Sequence, residues 1–356
     1  MNIVVNSQAL AAEVQLLNRI APTKPTIPVL GNILFDASDE LRLCSTNLEV
    51  SMTTTCQAHI VEHGQTTLPA ARLLELLNQL PNEDVNITVD KNHVRVTSGS
   101  FKSRLQTLRA DDFPTLPQVD GDIVILSSQA LRLMIQRSTY AVSEKSQKYV
   151  LDGALLSFAG SVMVMVATDG KRLTINTANH TPGADLSIVI PSKTLEVLLF
   201  HCDSGDVEFS QTDRHLFFVV GKRTLTSRML EGQFPRYDKI IPRDCDKHLQ
   251  VDRMALSSAL RRVGVVADEN QAVYFLLTNG WLQLSSVSAE IGEADENVSA
   301  QYEGPDVKIL VSGKFILDFL ERASERTVTF SIKTNAGPLL LTDGQNFINV
   351  VMVMRP

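Results

Sequence analysis

Asn6-Ser7-Gln8-Ala9-Leu10 returns as Ser127-Ser128-Gln129-Ala130-Leu131 and, more loosely, as Asp252-Arg253-Met254-Ala255-Leu256. Each copy opens with a polar residue suited to capping a helix N-terminus and runs into apolar positions at helical spacing. These are Leu10, Val14, Leu17 and Ile20 in the first copy; Leu131, Ile135 and Ala141 in the second; and Leu256, Leu260, Val263 and Val266 in the third. Steps of four, three and three residues put the first and third sets on one helix face, and a step of four does so for Leu131 and Ile135.

A second signature keeps the same interval. Leu68-Pro69-Ala70-Ala71-Arg72-Leu73-Leu74 matches Ile190-Pro191-Ser192-Lys193-Thr194-Leu195-Glu196 and then Val311-Ser312-Gly313-Lys314-Phe315-Ile316-Leu317. After each of these helices an alternating strand begins, at Val85, Val207 and Val328. Asn6 to Ser127 is a step of 121 positions, well beyond the roughly 20 to 50 of solenoid repeats, so the pattern predicts a triplicated domain. Phe113-Pro114 and Phe234-Pro235 close the first two copies. The predicted domains are therefore 1–118, 119–242 and 243–356. Each is α+β, with two helices set among short antiparallel strands such as 58–61, 94–96, 217–220 and 281–284. The six helices are expected near 7–20, 70–80, 127–141, 192–203, 252–265 and 312–323.

The bulk numbers fit this size. A chain of 356 residues exceeds what one core organises. With 44% apolar and 21% charged residues it reads as a soluble globular protein. No apolar run nears the roughly 18 residues of a membrane span, and no basic segment with an apolar core opens the chain. Cys44, Cys56, Cys202 and Cys245 are widely spaced, which predicts free thiols in a reducing cytoplasm. The net charge of −7 excludes a protein that coats nucleic acid by overall positive charge, though not one with a single basic face. Lys145, Lys148, Lys171 and Arg172 form a short basic stretch, and Glu290, Glu293, Asp295, Glu296, Glu303 and Asp306 an acidic one. The seven histidines are dispersed, with no metal-type spacing. No phosphate-binding glycine loop or nucleophile elbow occurs, so neither catalysis, metal nor cofactor is expected.

Four further segments fall in order within the copies: Lys24 to Asn32 (KPTIPVLGN), Ala167 to Leu173 (ATDGKRL), Gln233 to Tyr237 (QFPRY) and Val350 to Arg355 (VVMVMR). With the triplication, they make the whole chain resemble the bacterial sliding-clamp family, the beta subunits of the replicative DNA polymerase. The resemblance implies three tandem DNA-clamp (processivity-fold) domains and a head-to-tail homodimer, with twelve helices lining a ring and sheets outside. Twelve helices at ~10 Å spacing give a radius of about 19 Å. Subtracting half a helix diameter leaves a hole on the order of 28 Å. Duplex DNA, roughly 20 Å wide, passes through it. Such a ring holds DNA by topology, without reading sequence.

The resemblance also assigns residues. It implies DNA contact by Lys24 and by Lys145, Lys148 and Tyr149, where Val150 replaces the second aromatic common in the family. Arg72 and Lys193 share an equivalent place near helix starts and would face the hole; solvated surface charge is the plain alternative. A hydrophobic groove for short peptide motifs would be formed by Leu151, Thr168, Gly170, Lys171, Arg172 and Leu173. Pro235, Lys239 and Ile240 would add the linker side, and Val350, Val351, Met352, Val353, Met354 and Arg355 the far rim. Val353 stands where proline is common, and Pro356 follows the motif. Leu105, Val265 and Val266 would meet at the dimer interface. Implied groove partners are the replicative polymerase, the clamp loader, translesion polymerases and mismatch-repair proteins. A three-domain interaction scaffold that never encircles DNA is the alternative.

Overall fold

The computed structural model of the chain describes residues 1–90, 93–143, 151–179, 185–202, 205–269 and 271–355. Among the described residues, six α-helices occupy the places given by the repeats: α1 (Ser7–Asn18), α2 (Ala70–Gln79), α3 (Ser128–Gln136), α4 (Ser192–His201), α5 (Arg253–Val263) and α6 (Gly313–Leu320). The opening helix of each copy is capped in the same way. Asn6 Oδ1 accepts from the Gln8 and Ala9 amides, Ser127 Oγ from Ala130, and Asp252 Oδ1 from Met254 and Ala255. Each cap satisfies amides that the first helical turn leaves without partners.

Leu10, Val14 and Leu17, Leu131 and Ile135, and Leu256, Leu260 and Val263 are all buried on these helices. Two expectations need correction. The third helix ends at Gln136, and Ala141 reaches the core from a separate 3-10 turn, Thr139–Ala141. After Val263 the fifth helix tightens into a 3-10 turn, Gly264–Val266. That turn advances at three residues per turn, so Val266 leaves the apolar face; it is half-buried, and Val265 stands exposed.

The chain divides into two compact units: residues 1–132 with 193–229, and residues 133–192 with 230–356. The first holds an eight-stranded sheet that crosses a copy boundary. Strand Arg223–Arg228, from the second copy, pairs antiparallel with Val50–Cys56, from the first, in the register Thr224 to Thr53 through Ser227 to Val50. The second unit repeats the device. Strand Arg172–Asn179 pairs antiparallel with Phe347–Val351, Arg172 opposite Val351 and Asn176 opposite Phe347, which makes one twelve-stranded sheet.

A buried ion pair clips each of these junctions. Glu13 on α1 is 4% exposed and accepts from Arg223 Nε and Nη2 at 3.0 Å, Lys222 Nζ at 3.0 Å and Thr54 Oγ1 at 2.8 Å. In the second unit Arg137 Nη2 meets Asp343 at 3.2 Å, and the guanidinium lies over the Phe347 ring. Asp343 also accepts from the Ser324 and Glu325 amides. Breaking such a pair leaves an uncompensated charge, which costs more than the intact pair contributes.

Burial by itself would raise the Glu13 carboxyl, but hydrogen bonds from Arg223, Lys222 and Thr54 outweigh it and hold it below its ordinary 4.5. A depressed carboxyl contributes stability that is complete above its unfolded value and lost as pH falls through its folded one. Glu13→Gln should therefore destabilise the protein by roughly 3 kcal/mol at pH 7. Chemical denaturation repeated from pH 7 to pH 3 should show the gap to the parent closing below about pH 4.5. A gap that stays constant over that range would refute the charge account.

Candidate functional site

The junction between strands 172–179 and 347–351 builds the candidate groove. Leu173 and Val350, opposite one another, are buried with Val166 and Ile175, and Phe234, Tyr237 and Ile241 of the linker pack over them. Phe234 and Tyr237 meet edge to face at 6.4 Å. Leu173 and Val350 are thus floor rather than open wall, and Val351 points the other way into the core of the third copy. Leu151 is nearly buried, and its carbonyl accepts from the Ser143 amide at 2.9 Å.

The turn Thr168–Arg172 fixes one rim. Gly170 takes a φ of +86°, a conformation that a side chain would strain. Asp169 Oδ1 accepts from the Lys171 and Arg172 amides at 2.9 Å, and Thr168 Oγ1 donates to the Arg172 carbonyl at 2.6 Å. So held, the Lys171 carbonyl accepts from the Met352 amide at 2.9 Å, and the Met354 amide bonds to Leu310 O at 2.7 Å. The C-terminal segment is thereby laced between two strands. Met352 is 44% exposed, and Val353 and Met354 are half-buried.

Two concave regions hold predicted groove residues. One, of about 420 Å³, is lined by Met352, Val353, Met354, Lys171, Lys314 and Phe315, with Glu269, Gln271 and Ser312 at its edge. The other, about 710 Å³ and more open, lies between linker residues including Lys239 and Ile240 and the 333–338 hairpin. The predicted groove residues are thus shared between two hollows: Lys171 and Met352 to Met354 border the first, Lys239 and Ile240 the second. Pro235 is half-buried beside them in sequence, and Arg355 is exposed.

Sequence reasoning missed Phe315 and Lys314. Both lie in the repeated helix-start signature, which marks a helix start and assigns them no role. It also missed that Arg172 is anchored. Arg172 is 9% exposed, with Asp169 at 3.0 Å and Asp318 at 2.5 Å.

Lys24 is exposed in the loop before the 3-10 turn Pro28–Gly31. Arg72 and Lys193 occupy equivalent first turns of α2 and α4. Each pairs with the glutamate three residues on, Arg72 with Glu75 at 2.8 Å and Lys193 with Glu196 at 3.2 Å. Lys145, Lys148 and Tyr149 lie outside the described residues. Pro356 does too.

Among the described residues several strands keep an unpaired edge, and two of these carry charge of opposite sign. Strand Phe101–Gln106, which carries half-buried Leu105, pairs only with His93–Ser98, and Lys102 and Arg104 are exposed along it. Strand Gly292–Gln301 pairs along its length with Trp281–Ser288 but on its other side only at Ala300 and Gln301. Glu293 and Asp295 are exposed on it, while Glu296 pairs with Arg262 of α5 at 2.5 Å, just before Val265.

Among the described residues, no cluster of three or more His, Cys, Asp or Glu is arranged to hold a metal, and no helix is long and apolar enough to cross a membrane. Cys44, Cys56, Cys202 and Cys245 are free thiols.

Comparison with known proteins places this geometry. Family models of the DNA polymerase III beta subunit match in three parts: the N-terminal domain at residues 1–117, the central domain at 125–236 and the C-terminal domain at 238–355. The beta sliding clamp of Pseudomonas aeruginosa is 30% identical over 366 residues, covering all of both chains. The crystal structure of a sliding clamp from the same species bound to griselimycin superposes with a TM-score of 0.95 at 29% identity, again over all of both chains. The Bacillus subtilis sliding clamp structure gives 0.95 at 25% identity, over 100% of this chain and 99% of that one. The chain belongs to the DNA polymerase III beta subunit family, the bacterial beta sliding clamps.

Proposed function

We propose that the chain is a non-catalytic processivity factor. Two copies close head to tail into a ring around duplex DNA in the cytoplasm, and polymerases and other DNA-processing proteins are tethered to it through a peptide groove. The observation that carries this reading is the pair of open edges. Strand 50–56 of the first copy joins strand 223–228 of the second, and strand 172–179 of the second joins strand 347–351 of the third. By the repeat, the next joint needs strand 292–301 of the third copy and an equivalent of strand 101–106, which belongs to the first. Both strands have an edge free for that joint. A second molecule supplies the partner at each end, so the contact is heterologous and closes when the rotation permits. Exposed Lys102 and Arg104 face Glu293 and Asp295 across such a joint, which favours this pairing over like with like. Val265, 74% exposed, together with Val266 and Leu105, would pack beside it.

DNA inside the ring needs only weak contacts to phosphate. Lys24, Arg72, Lys145, Lys148, Tyr149 and Lys193 are the candidates, and their contacts should weaken with salt. Topology does the holding. Clamps loaded by the cognate clamp loader onto a nicked circular plasmid should therefore stay bound through gel filtration at moderate salt. Cutting the plasmid once should release them. Equal retention on circular and linear DNA would refute encirclement.

The groove reading extends from Leu151, Thr168, Gly170, Arg172, Leu173 and Pro235 to the hollow lined by Met352. Methionine suits a site with several ligands, because its flexible thioether repacks. Burying two apolar side chains of a peptide removes on the order of 200 Å², or about 5 kcal/mol gross at ~25 cal/mol per Å². Ordering the peptide offsets much of that, so affinity should be micromolar. Calorimetry with a Gln-Leu-x-Leu-Phe peptide should show Met352→Ala costing roughly 1–2 kcal/mol. Deleting residues 352–356 should abolish binding while the dimer persists. Unchanged binding after the deletion would move the site elsewhere.

A further inference from the structure

Two of the cations that the resemblance turns toward the hole are already engaged. Arg72 holds Glu75 at 2.8 Å, and Lys193 holds Glu196 at 3.2 Å, each one turn along its own helix. A phosphate that approaches either cation meets the carboxylate as well, so the attraction it gains is partly cancelled.

Arg19, in the same compact unit, is not engaged in this way. It follows the last turn of α1, and its amide donates to the Leu16 and Leu17 carbonyls, which fixes the backbone. The side chain is exposed, and among the described residues no carboxylate pairs with it. Its guanidinium lies instead over the Phe200 ring, 3.5 Å from the centroid. Phe200 is 48% exposed, although α4 buries Leu195, Val197 and Leu198 on its other side. Steps of three and four residues carry Lys193, Glu196 and Phe200 along one face of that helix. On α1 the exposed face runs Gln8, Ala12, Gln15 and Arg19 and holds no acidic residue. Stacking uses the flat face of a guanidinium and leaves the donors at its edge pointing outward. The plane is therefore set before a ligand arrives, and the fork of donors fits two oxygens of one phosphate.

We infer that Arg19 is a phosphate contact of the duplex held in the ring, and that Phe200 is the positioning residue that keeps its donors outward. The inference rests on the encirclement reading above. It ranks Arg19 above Arg72 and Lys193 as a contact, because its charge is free of a carboxylate and its geometry is preset.

Fluorescence anisotropy of a short labelled linear duplex tests it, with the full-length protein titrated over a series of potassium chloride concentrations. One phosphate contact contributes about 0.9 to the slope of log affinity against log salt, which is roughly eightfold in affinity at about 0.1 M. Arg19→Gln should lose that much of both. Arg72→Gln and Lys193→Gln together should lose less than Arg19→Gln alone. Phe200→Leu keeps the charge, so it should keep the slope and weaken binding by roughly threefold, the scale of ordering one long side chain on binding. A purely structural role for the pair would lower the midpoint of chemical denaturation and leave the slope alone. Arg19→Gln with the slope of the parent would therefore overturn the inference. So would a double variant of Arg72 and Lys193 that loses more than Arg19→Gln, or a Phe200→Leu protein that binds as the parent does. Should Arg19→Gln fold poorly, Arg19→Lys keeps the charge without the flat face and should behave as Phe200→Leu does; parent affinity in that variant would also overturn the inference. A parent clamp retained equally on circular and linear plasmid means that encirclement itself has failed. A parent that passes that test beside an Arg19→Gln protein of unchanged slope means that this inference alone has.

Discussion

An unpaired strand edge presents a row of amides and carbonyls that must find partners. The chain meets this constraint twice within itself, at the joints between copies, and strands 101–106 and 292–301 each keep an edge free for a third. Strand 223–228 covers the edge of strand 50–56, and strand 347–351 covers that of strand 172–179. The same rule applied a third time calls for another molecule. Triplication is therefore more than a sequence curiosity, because three copies of one edge rule, repeated by a second chain, make six joints.

The groove is a by-product of a joint. Where strand 172–179 meets strand 347–351, the chain runs out of sheet just past Val351, and the remaining residues cross to bond with Leu310. This leaves Met352 exposed above a floor of Leu173 and Val350, with Phe315 to one side. The same joint is held by Arg137 with Asp343 and by Arg172 with Asp169 and Asp318. These buried charges are costly to desolvate, and each is repaid by several hydrogen bonds at once. The rigidity of the groove wall thus derives from the ion pairs that join the domains.

The fold was largely legible because its signals are local and recur. Capping residues at Asn6, Ser127 and Asp252, apolar spacing after them, and a strand after each second helix all act within a few residues and appear three times. What was hidden depends on partners far apart in sequence. Nothing near Glu13 announces Arg223, and nothing near Arg172 announces Asp318 or Phe315. Val266 misled because helical spacing was extended one turn past Gly264, where the backbone tightens. Leu173 and Val350 lie far apart in sequence, and only the strand register sets them opposite one another in one cluster.

The central claim is that the free edges of strands 101–106 and 292–301 close on a second chain. Light scattering on the purified full-length protein, over a range of micromolar concentrations, tests it most directly. Two chains of 39.2 kDa give 2 × 39.2 = 78.4 kDa, and the account predicts that single mass, independent of concentration. A mass of 39.2 kDa would mean that the edges do not pair, and a mass that climbs with concentration would mean that they pair without closing.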